Sequence, residues 1–408
     1  MIDARLHLTS EDNMVLNRLR DHGEAWIVGG WVRDILQMKN TKSDLDIATT
    51  LLPREVMKIF PRTLAIGEEF GTVLVRLDEP SNKQWEVTTL RMDGSYGDGR
   101  RPDNVSFGND ISHDLARRDF TINAMAIDVS GELIDIFGGE SDLQKNIVRA
   151  VGNADERIAE DGLRILRAFR FLDMEKNYLR TLDLQLEKAI VDNLDMLNKV
   201  SKERITEEIR KIFSSNNPYK IFIKMKELGV LDILIGDLSI EIEDLGITDP
   251  MVILARLLKK NNCDGIELCN ILSRSLKLTK KEMKQISFLH NNRNTIFDNS
   301  EKSIRKFQVL LSDEQKEWIL QYHKQKEIDD KYGNFKGKIN MNPILDGWKI
   351  AEITGIKPGR KLGLLKDWLF RIQIERNIRS EDEMIDVLNH HIKWHDSDFE
   401  LWPKLSWP

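Results

Sequence analysis

The stretch GGWVRDILQMKNTKSDLDIAT, residues 29–49, decides the fold of this 408-residue chain. An apolar run, AWIV at 25–28, leads into Gly29 and Gly30, and a helical pattern follows the two glycines. The chain then returns as the apolar run 45–49, which carries Asp44 and Asp46 at its start. Residues two apart in a strand point to the same face, so these two carboxylates are predicted to project together.

The surrounding sequence extends this pattern into a mixed α/β head over residues 1–139. Short apolar runs with glycine punctuation predict further strands at 63–67, 72–77 and 85–90, and a hairpin around Ser130 and Gly131. Helices are predicted over residues 10–20, where Thr9 and Asp12 are spaced as a capping box, after Gly30, and from Pro53.

The rest of the chain reads as helix. After about residue 155 apolar residues recur at three- and four-residue spacing almost to the C-terminus. The predicted fold class is therefore a mixed α/β head followed by an all-α array. We divide the array into a neck at 140–215, a body at 216–300 and a tail at 301–408.

Composition narrows the function classes. The 61 Lys and Arg residues nearly balance the 67 Asp and Glu residues, so any nucleic-acid surface must gather its basic residues on particular faces. No apolar run is long enough to span a membrane, and the N-terminus lacks an apolar signal core, which predicts a cytosolic protein. Two cysteines, Cys263 and Cys269, are too few for a disulfide framework and are expected to be buried. The sequence does not indicate the oligomeric state.

The carboxylate pair and the glycine turn together predict a triphosphate–metal site. Adjacent carboxylates repel unless a cation lies between them, and Mg²⁺ prefers oxygen ligands in the company of phosphates. Glu86 lies in another predicted strand and would add a third oxygen ligand if the two strands are neighbours. Gly29 and Gly30 allow close backbone approach to an anion, which Arg33 would also reach. The alternative for the two aspartates is a solvated strand face.

Three motifs carry a family resemblance. GGWVRD followed by SDLDIAT resembles the nucleotidyltransferase superfamily that includes DNA polymerase beta. RRDFTINAMAID at 117–128 and EDGLRILRAFRF at 160–171 resemble the class II tRNA nucleotidyltransferases, which are the CCA-adding enzymes, and the bacterial poly(A) polymerases. The segment 134–152 resembles the connector between the catalytic head and the neck in that group. The resemblance is strong over about residues 25–215.

The resemblance implies a nucleotidyltransferase head and template-independent addition of C, C and A to the 3′ end of tRNA, from CTP and ATP with release of pyrophosphate. It implies that Asp44 and Asp46 are the catalytic residues and hold Mg²⁺. The nucleotide contacts that it implies come from Gly30, Arg33, Arg118, Asp161, Arg164, Arg167 and Arg170. Arg117 is expected to form a structural salt bridge instead.

Asp161 and Arg164 have a chemistry that suits base selection. If residues 160–171 form one helix, these two side chains are neighbours on its surface. Cytosine and adenine both present an amino donor beside a ring-nitrogen acceptor, which matches a carboxylate beside a guanidinium. Uracil and guanine present the opposite pattern, and such a mismatch costs a few kcal/mol. The alternative is an ordinary salt-bridged surface.

Several choices stay open within and beyond this family. The loop at 91–105 resembles the flexible loop of complete CCA-adding enzymes, and Glu68 and Glu69 stand where the poly(A) polymerases carry a basic pair. An A-adding or CC-adding enzyme and a poly(A) polymerase remain alternatives. An RNA-binding protein built on an inactive transferase head is the alternative of another class.

The helical array is expected to bind the tRNA. Lys357, Arg360 and Lys361 are the candidate phosphate contacts, although a plain turn between helices explains them equally well. Three tryptophans near the C-terminus would be able to stack on bases, but packing is the favoured interpretation; they are Trp394, Trp402 and Trp407.

Overall fold

The computed structural model describes residues 7–38, 45–65, 71–77, 83–93, 105–244, 246–298, 300–324, 332, 341–395 and 398–408. The chain forms two compact units. The first is Met1–Asp237 with Ser275–Lys277, and the second is Leu238–Arg274 with Leu278–Pro408. The predicted division into head, neck, body and tail is finer than these units and stays a prediction.

A mixed sheet organises the N-terminal part of the first unit. The strands of the chain are β1 Ala25–Val28, β2 Asp46–Thr49, β3 Arg62–Ala65, β4 Thr72–Arg76, β5 Gln84–Thr89, β6 Arg91–Asp93, β7 Val105–Phe107, β8 Ala126–Ile127, β9 Leu133–Ile134, β10 Ile147–Val148 and β11 Thr181–Leu182. Seven of them form one sheet in the order β3-β4-β5-β2-β1-β8-β9, and β6 with β7 and β10 with β11 form two-stranded pairs. The predicted strands and the hairpin are confirmed.

β2 is an interior strand of the sheet. Its residues after Asp46 are buried, and it pairs antiparallel with β1 on one side and parallel with β5 on the other. β1 is buried along its whole length, as expected for a central strand without a polar face. A cluster of buried apolar residues that includes Trp26, Ala48 and Leu115 packs beneath these strands. The start of β2 is thereby held rigidly next to β5.

Helices complete the first unit. They are α1 Ser10–Arg20, α2 Gly30–Leu36, α3 Pro53–Ile59, α4 Ile111–Ala116, α5 Gly139–Gln144, α6 Ala154–Glu160, α7 Leu163–Phe171, α8 Leu184–Asp192, α9 Lys202–Phe213, α10 Pro218–Glu227 and α11 Val230–Ile235. The predicted capping box of α1 is present, with Thr9 and Asp12 bonded reciprocally. The prediction of an α/β head followed by helices is confirmed.

The prediction of one helix over residues 160–171 is wrong. α6 ends at Glu160, Asp161 adopts an extended conformation with φ −154° and ψ 105°, and α7 begins at Leu163. The break has two physical causes. The Asp161 carboxylate accepts a hydrogen bond from the backbone N–H of Leu163 at 3.1 Å. Gly162 also lies so close to the 3-10 helix Leu194–Lys199 that a Cβ atom there would be 2.3 Å from the Met196 carbonyl oxygen.

The second unit is built from helices in its described part. They are α12 Pro250–Leu257, α13 Gly265–Leu272, α14 Lys280–Asn291, α15 Glu301–Leu310, α16 Asp313–His323, α17 Gly347–Thr354, α18 Arg360–Arg376 and α19 Glu381–Asp386. Cys263 and Cys269 are free thiols, with Cys269 buried and Cys263 half-buried. Across the part of the chain that the structure describes, no helix has the length and apolar character needed to cross a bilayer.

The C-terminal tryptophans pack inside this unit, as predicted. Trp394 and Trp402 are buried in its apolar core, and Trp407 lies 5.8 Å from the ring of Phe307. Of the candidate phosphate contacts, Arg360 forms an ion pair with Glu400 at 2.7 Å, and Lys361 lies over the Trp402 ring. A role of Lys357, Arg360 and Lys361 in binding tRNA stays a prediction.

Candidate active site

A polar cavity of about 530 Å³ opens in the first unit, where the ends of β1, β2 and β5 meet α2, α7 and the segment after α4. The cavity brings together every described residue of the predicted site: Gly30, Arg33, Asp46, Arg118, Asp161, Arg164, Arg167 and Arg170. Asp44 lies outside the described residues. Side chains that are far apart in the sequence therefore line one space.

Two carboxylates stand side by side at the floor of the cavity. In the parallel pairing of β2 with β5, Asp46 lies directly opposite Glu86, so both side chains project from the same face of the sheet. Asp46 is half-buried and Glu86 is exposed. The expectation that the strands of Asp46 and Glu86 are neighbours is confirmed.

The donor set suits a hard divalent cation, because both groups offer only oxygen ligands. Within the described ranges, no group of three or more His, Cys, Asp or Glu side chains is arranged to hold a metal ion. The described part of the chain thus contributes at most a pair of carboxylates to a metal site. Asp44 precedes Asp46 by two residues, at the position from which a strand would direct a third carboxylate to the same face.

The glycine turn approaches the Asp46 carboxylate closely. Gly29 has φ 78° and ψ −141°, a conformation that essentially only glycine adopts, and α2 begins at the next residue. A Cβ atom on Gly29 would lie 2.7 Å from Oδ2 of Asp46. Glycine is therefore required here both for the backbone conformation and for the position of the carboxylate.

Replacing Gly29 with alanine is expected to impair the site beyond its effect on stability. Gly236 is a matched control, because it has φ 62° and ψ −138°, yet a Cβ atom added there would meet nothing within 4 Å. Both Gly→Ala variants should lose about 1–3 kcal/mol of unfolding free energy from backbone strain. Only Gly29→Ala should also lose at least about tenfold in activity, since its Cβ displaces Asp46. Equal activity of the two variants in a transfer assay would contradict this account.

The five predicted arginines line the remaining walls, and each is held by an anion or a carbonyl oxygen. Arg33 bonds Asp34 at 2.9 Å and Asn123 at 2.8 Å, and Arg118 bonds Asp114 at 3.1 Å. Such anchoring fixes guanidinium groups that would otherwise repel one another.

Arg167 and Arg170 repeat this arrangement on α7. Arg167 bonds Asp119 at 2.5 Å, and Arg170 bonds the buried Glu208 of α9 at 2.7 Å. The ring of Phe171 lies beneath three of the guanidinium groups, at 4.2 Å from Arg170, 5.3 Å from Arg33 and 5.5 Å from Arg167. An aromatic face attracts cations, so the ring helps to keep these charges together.

Two buried carboxylates stay charged because of these arginines. Burial alone would raise the pKa of Asp119, but Arg167, the Asn123 amide and the Phe120 N–H outweigh it and lower the pKa. Burial would likewise raise the pKa of Asp114, and Arg117 and Arg118 lower it. Both groups are therefore anionic at neutral pH and fix the arginines beside the cavity.

The lowered pKa of Asp119 predicts a pH-dependent contribution to stability. A carboxyl group whose pKa is lower in the folded state contributes its full stabilisation at pH values above its ordinary pKa of 3.8. This contribution is lost as the pH falls through the pKa of the folded state. The wild type should therefore be more stable than Asp119→Asn at pH 7, and the difference should narrow below about pH 4. Urea unfolding of both proteins from pH 7 to below about pH 4 measures this difference in unfolding free energy. A difference that widens toward acid pH would contradict the lowered pKa of Asp119.

Asp161 and Arg164 both line the cavity, and the Arg164 N–H donates to the Asp161 carbonyl oxygen at 3.0 Å, but their side chains bond to other groups. The Asp161 carboxylate is bonded by Arg204 of α9, at 2.6 Å and 3.1 Å. Arg164 bonds Glu160 at 2.5 Å and the Arg117 carbonyl oxygen at 3.0 Å. The break at Asp161 explains why the two side chains do not pair, because the two residues are not on one continuous helix.

Comparison with known proteins agrees with this geometry. Residues 25–149 match the family model described as the poly A polymerase head domain, and residues 181–240 match the model described as a probable RNA and SrmB- binding site of polymerase A. The CCA-adding enzyme of Lactobacillus johnsonii is 43% identical over 217 residues, which are 53% of this chain and 53% of that protein. The CCA-adding enzyme of Lactococcus lactis subsp. lactis is 46% identical over 203 residues, or 48% and 49% of the two chains.

The similarity in structure extends over nearly the whole chain. The crystal structure of the Bacillus stearothermophilus CCA-adding enzyme in complex with CTP superposes with a TM-score of 0.71 at 26% sequence identity, and the match covers 96% of this chain and 98% of that one. Over its head and over residues 181–240 the chain is thus similar to the CCA-adding enzymes and poly(A) polymerases. Its sequence matches to the curated relatives span about half of their length.

The match to the head-domain model includes Asp46, Glu86 and Arg118, while α7 lies between the two matched segments. Sequence reasoning had not assigned Asp114, Asn123, Glu208 or Phe171 to the site. The spacing of Asp114, three and four residues before Arg117 and Arg118, is a helical ion-pair signal that would have found it. Arg117 forms the expected salt bridge, with Asp114 at 2.5 Å, and it also lines the cavity.

Proposed function

We propose that this protein adds C, C and A to the 3′ end of tRNA, using CTP and ATP and releasing pyrophosphate. The observation that carries the proposal is the single cavity in which the Asp46–Glu86 carboxylates, the five predicted arginines and Asp161 meet. A nucleoside triphosphate needs those three features: oxygen ligands for a metal, cations for phosphates and a polar pair for the base. The match to the poly A polymerase head domain and the likeness to a CTP-bound CCA-adding enzyme support it.

Mg²⁺ is the metal that this donor set suits, and we assign Asp44 and Asp46 as its ligands, with Glu86 as a further carboxylate beside them. When bound, the metal neutralises charge on the phosphates and makes the 3′-hydroxyl of the RNA easier to deprotonate. Carboxylates held on a central strand keep their geometry as substrates bind and products leave. No covalent intermediate with the protein is needed for this reaction.

Arg118 is the residue best placed to bind the triphosphate. Its Nε atom is buried and has no hydrogen-bond partner among the described residues, although the side chain lines the cavity. A buried N–H group without an acceptor is costly, and a phosphate oxygen would satisfy it. Arg33 approaches from α2, and Arg167 and Arg170 add positive charge from α7.

Asp161 and Arg164 can select the base although their side chains do not pair with each other. Beyond the bonds to Arg204 and the Leu163 N–H, the Asp161 carboxylate keeps a lone pair for an exocyclic amino group. Arg164 uses three N–H groups of its terminal nitrogens for Glu160 and two backbone carbonyls, which leaves Nε–H and one Nη2–H to donate to a ring nitrogen. Cytosine and adenine satisfy this pair, whereas uracil and guanine set a carbonyl against the carboxylate.

The decisive experiment incubates the protein with Mg²⁺ and a tRNA that lacks its 3′ end, supplying each nucleotide singly and all four together, and then sequences the product ends. We expect CC with CTP alone and CCA with CTP and ATP. A single added A, an end that stops at CC, or a run of A would assign the protein to the A-adding, CC-adding or poly(A)-forming members. Absence of any transfer, with tRNA still bound, would favour an inactive RNA-binding protein. A cytosolic location is part of the proposal, since that is where the substrates are.

A further inference from the structure

Asp114 is a buried carboxylate that contacts two neighbouring arginines at once. It is 1% exposed and lies within the short helix α4. Its Oδ1 accepts hydrogen bonds from Arg117, at 2.5 Å and 3.0 Å, and its Oδ2 accepts one from Arg118 at 3.1 Å. Each oxygen of one side chain thus fixes a different guanidinium.

The two arginines lead to different parts of the cavity. Arg118 directs its guanidinium toward the place that we assign to the triphosphate. Arg117 contributes its backbone instead, because its carbonyl oxygen accepts a hydrogen bond from Nη2 of Arg164, the residue that we assign to base selection. A single carboxylate is therefore linked to both groups that we assign to the nucleotide.

We propose that Asp114 is a positioning residue that couples triphosphate binding to base selection. This inference rests on the proposed function. Asp114 does not touch the nucleotide; it holds the turn from which Arg118 and the Arg117 carbonyl project. A shift of that turn changes the phosphate contact and the orientation of Arg164 together, so the two properties depend on one anchor.

Asparagine at position 114 tests this geometry with little change in size. Its amide has one carbonyl oxygen and an NH₂ group, so it can accept from Arg117 or from Arg118 but presents donors to the other. The negative charge between the two guanidinium groups is also lost. The variant therefore removes the double anchor without opening a cavity.

Asp142 provides a matched control. It is also buried, at 5% exposure, and bonds Arg149 at 3.1 Å in the same unit, but it does not line the cavity. For Asp114→Asn we expect the KM values for CTP and ATP to rise about tenfold and misincorporation of UTP or GTP to rise about tenfold as well. Asp142→Asn should lower thermal stability and leave KM and base choice unchanged. Equal effects of the two variants on KM and base choice would overturn the inference.

A double variant separates positioning from a general structural role. In an Arg118→Ala background, Asp114→Asn should raise the CTP KM little further but still increase misincorporation through Arg164. Additive effects on KM would contradict action through Arg118. If Asp114→Asn does not fold, Asp114→Glu keeps the charge with a longer side chain, and an unchanged KM and base choice in that variant would equally refute the proposal.

Measurements on the wild-type protein separate the failure of this inference from the failure of the proposed function. If the wild type adds no nucleotide to tRNA, the proposed function fails, and CTP binding measured by calorimetry still compares Asp114→Asn with Asp142→Asn. If the wild type is active and the two variants behave alike, the positioning role of Asp114 fails alone.

Discussion

Asp46→Asn is expected to lower the rate of nucleotide transfer by about a thousandfold or more. The carboxylate lies at the start of a central strand, opposite Glu86, where a divalent ion would contact the phosphates. The amide keeps the shape of the side chain but removes the charge that such an ion requires. Loss of about 4 kcal/mol of transition-state stabilisation corresponds to this change in rate, and single-turnover transfer to tRNA measures it.

Glu132→Gln is the control for this prediction, because Glu132 is exposed near β9 and does not line the cavity. It should transfer nucleotides at the wild-type rate. Asp46→Asn should melt close to the wild-type temperature, since the side chain is only half-buried. If folded Asp46→Asn transferred nucleotides at the wild-type rate, the Asp46 carboxylate would have no role in the mechanism.

Arg164→Ala is expected to relax the choice of base more than it weakens binding of tRNA. Without its guanidinium, nothing opposes the ring N–H of uracil, so the preference for CTP over UTP should fall about a hundredfold. Competition assays with both nucleotides, read by sequencing the product ends, measure the preference. Affinity for tRNA, measured separately by filter binding, should change by less than about threefold, because Arg164 is 11% exposed and faces the cavity.

Arg149→Ala supplies the comparison for Arg164→Ala. Arg149 is an ion-paired arginine of the same unit, bonded to Asp142 and Asp183, and it lies outside the cavity lining. Its removal should leave base choice intact. If Arg164→Ala lost tRNA binding while its base choice held, the assignment to base selection would be wrong.

Local sequence patterns were sufficient to predict the elements that build the head. Apolar runs such as AWIV, the glycine turn at Gly29 and the capping box at Thr9 each act within a few residues, and the structure has all of them. The pairing of Asp46 with Glu86 is different in kind. Strand order depends on long-range packing, so the sequence indicated that the two residues would be useful together but not that they are in register.

Residues 160–171 show where local reasoning failed. Apolar spacing continues through residues 160–171, and the helical period therefore hides the break at Asp161. That break depends on Gly162 packing against Met196, a contact between distant segments. Glu208 anchors Arg170 from α9 for the same kind of reason, because no spacing rule relates two helices that meet only in the fold.

A crystal structure of the protein with Mg²⁺ and a CTP analogue that cannot transfer tests the central claim most directly. We expect the triphosphate beside Arg118 and the Asp46 carboxylate, with the cytosine amino group on Asp161 and its ring nitrogen on Arg164. A nucleotide bound away from Asp46, or with its base facing away from α7, would contradict the account of both catalysis and selection.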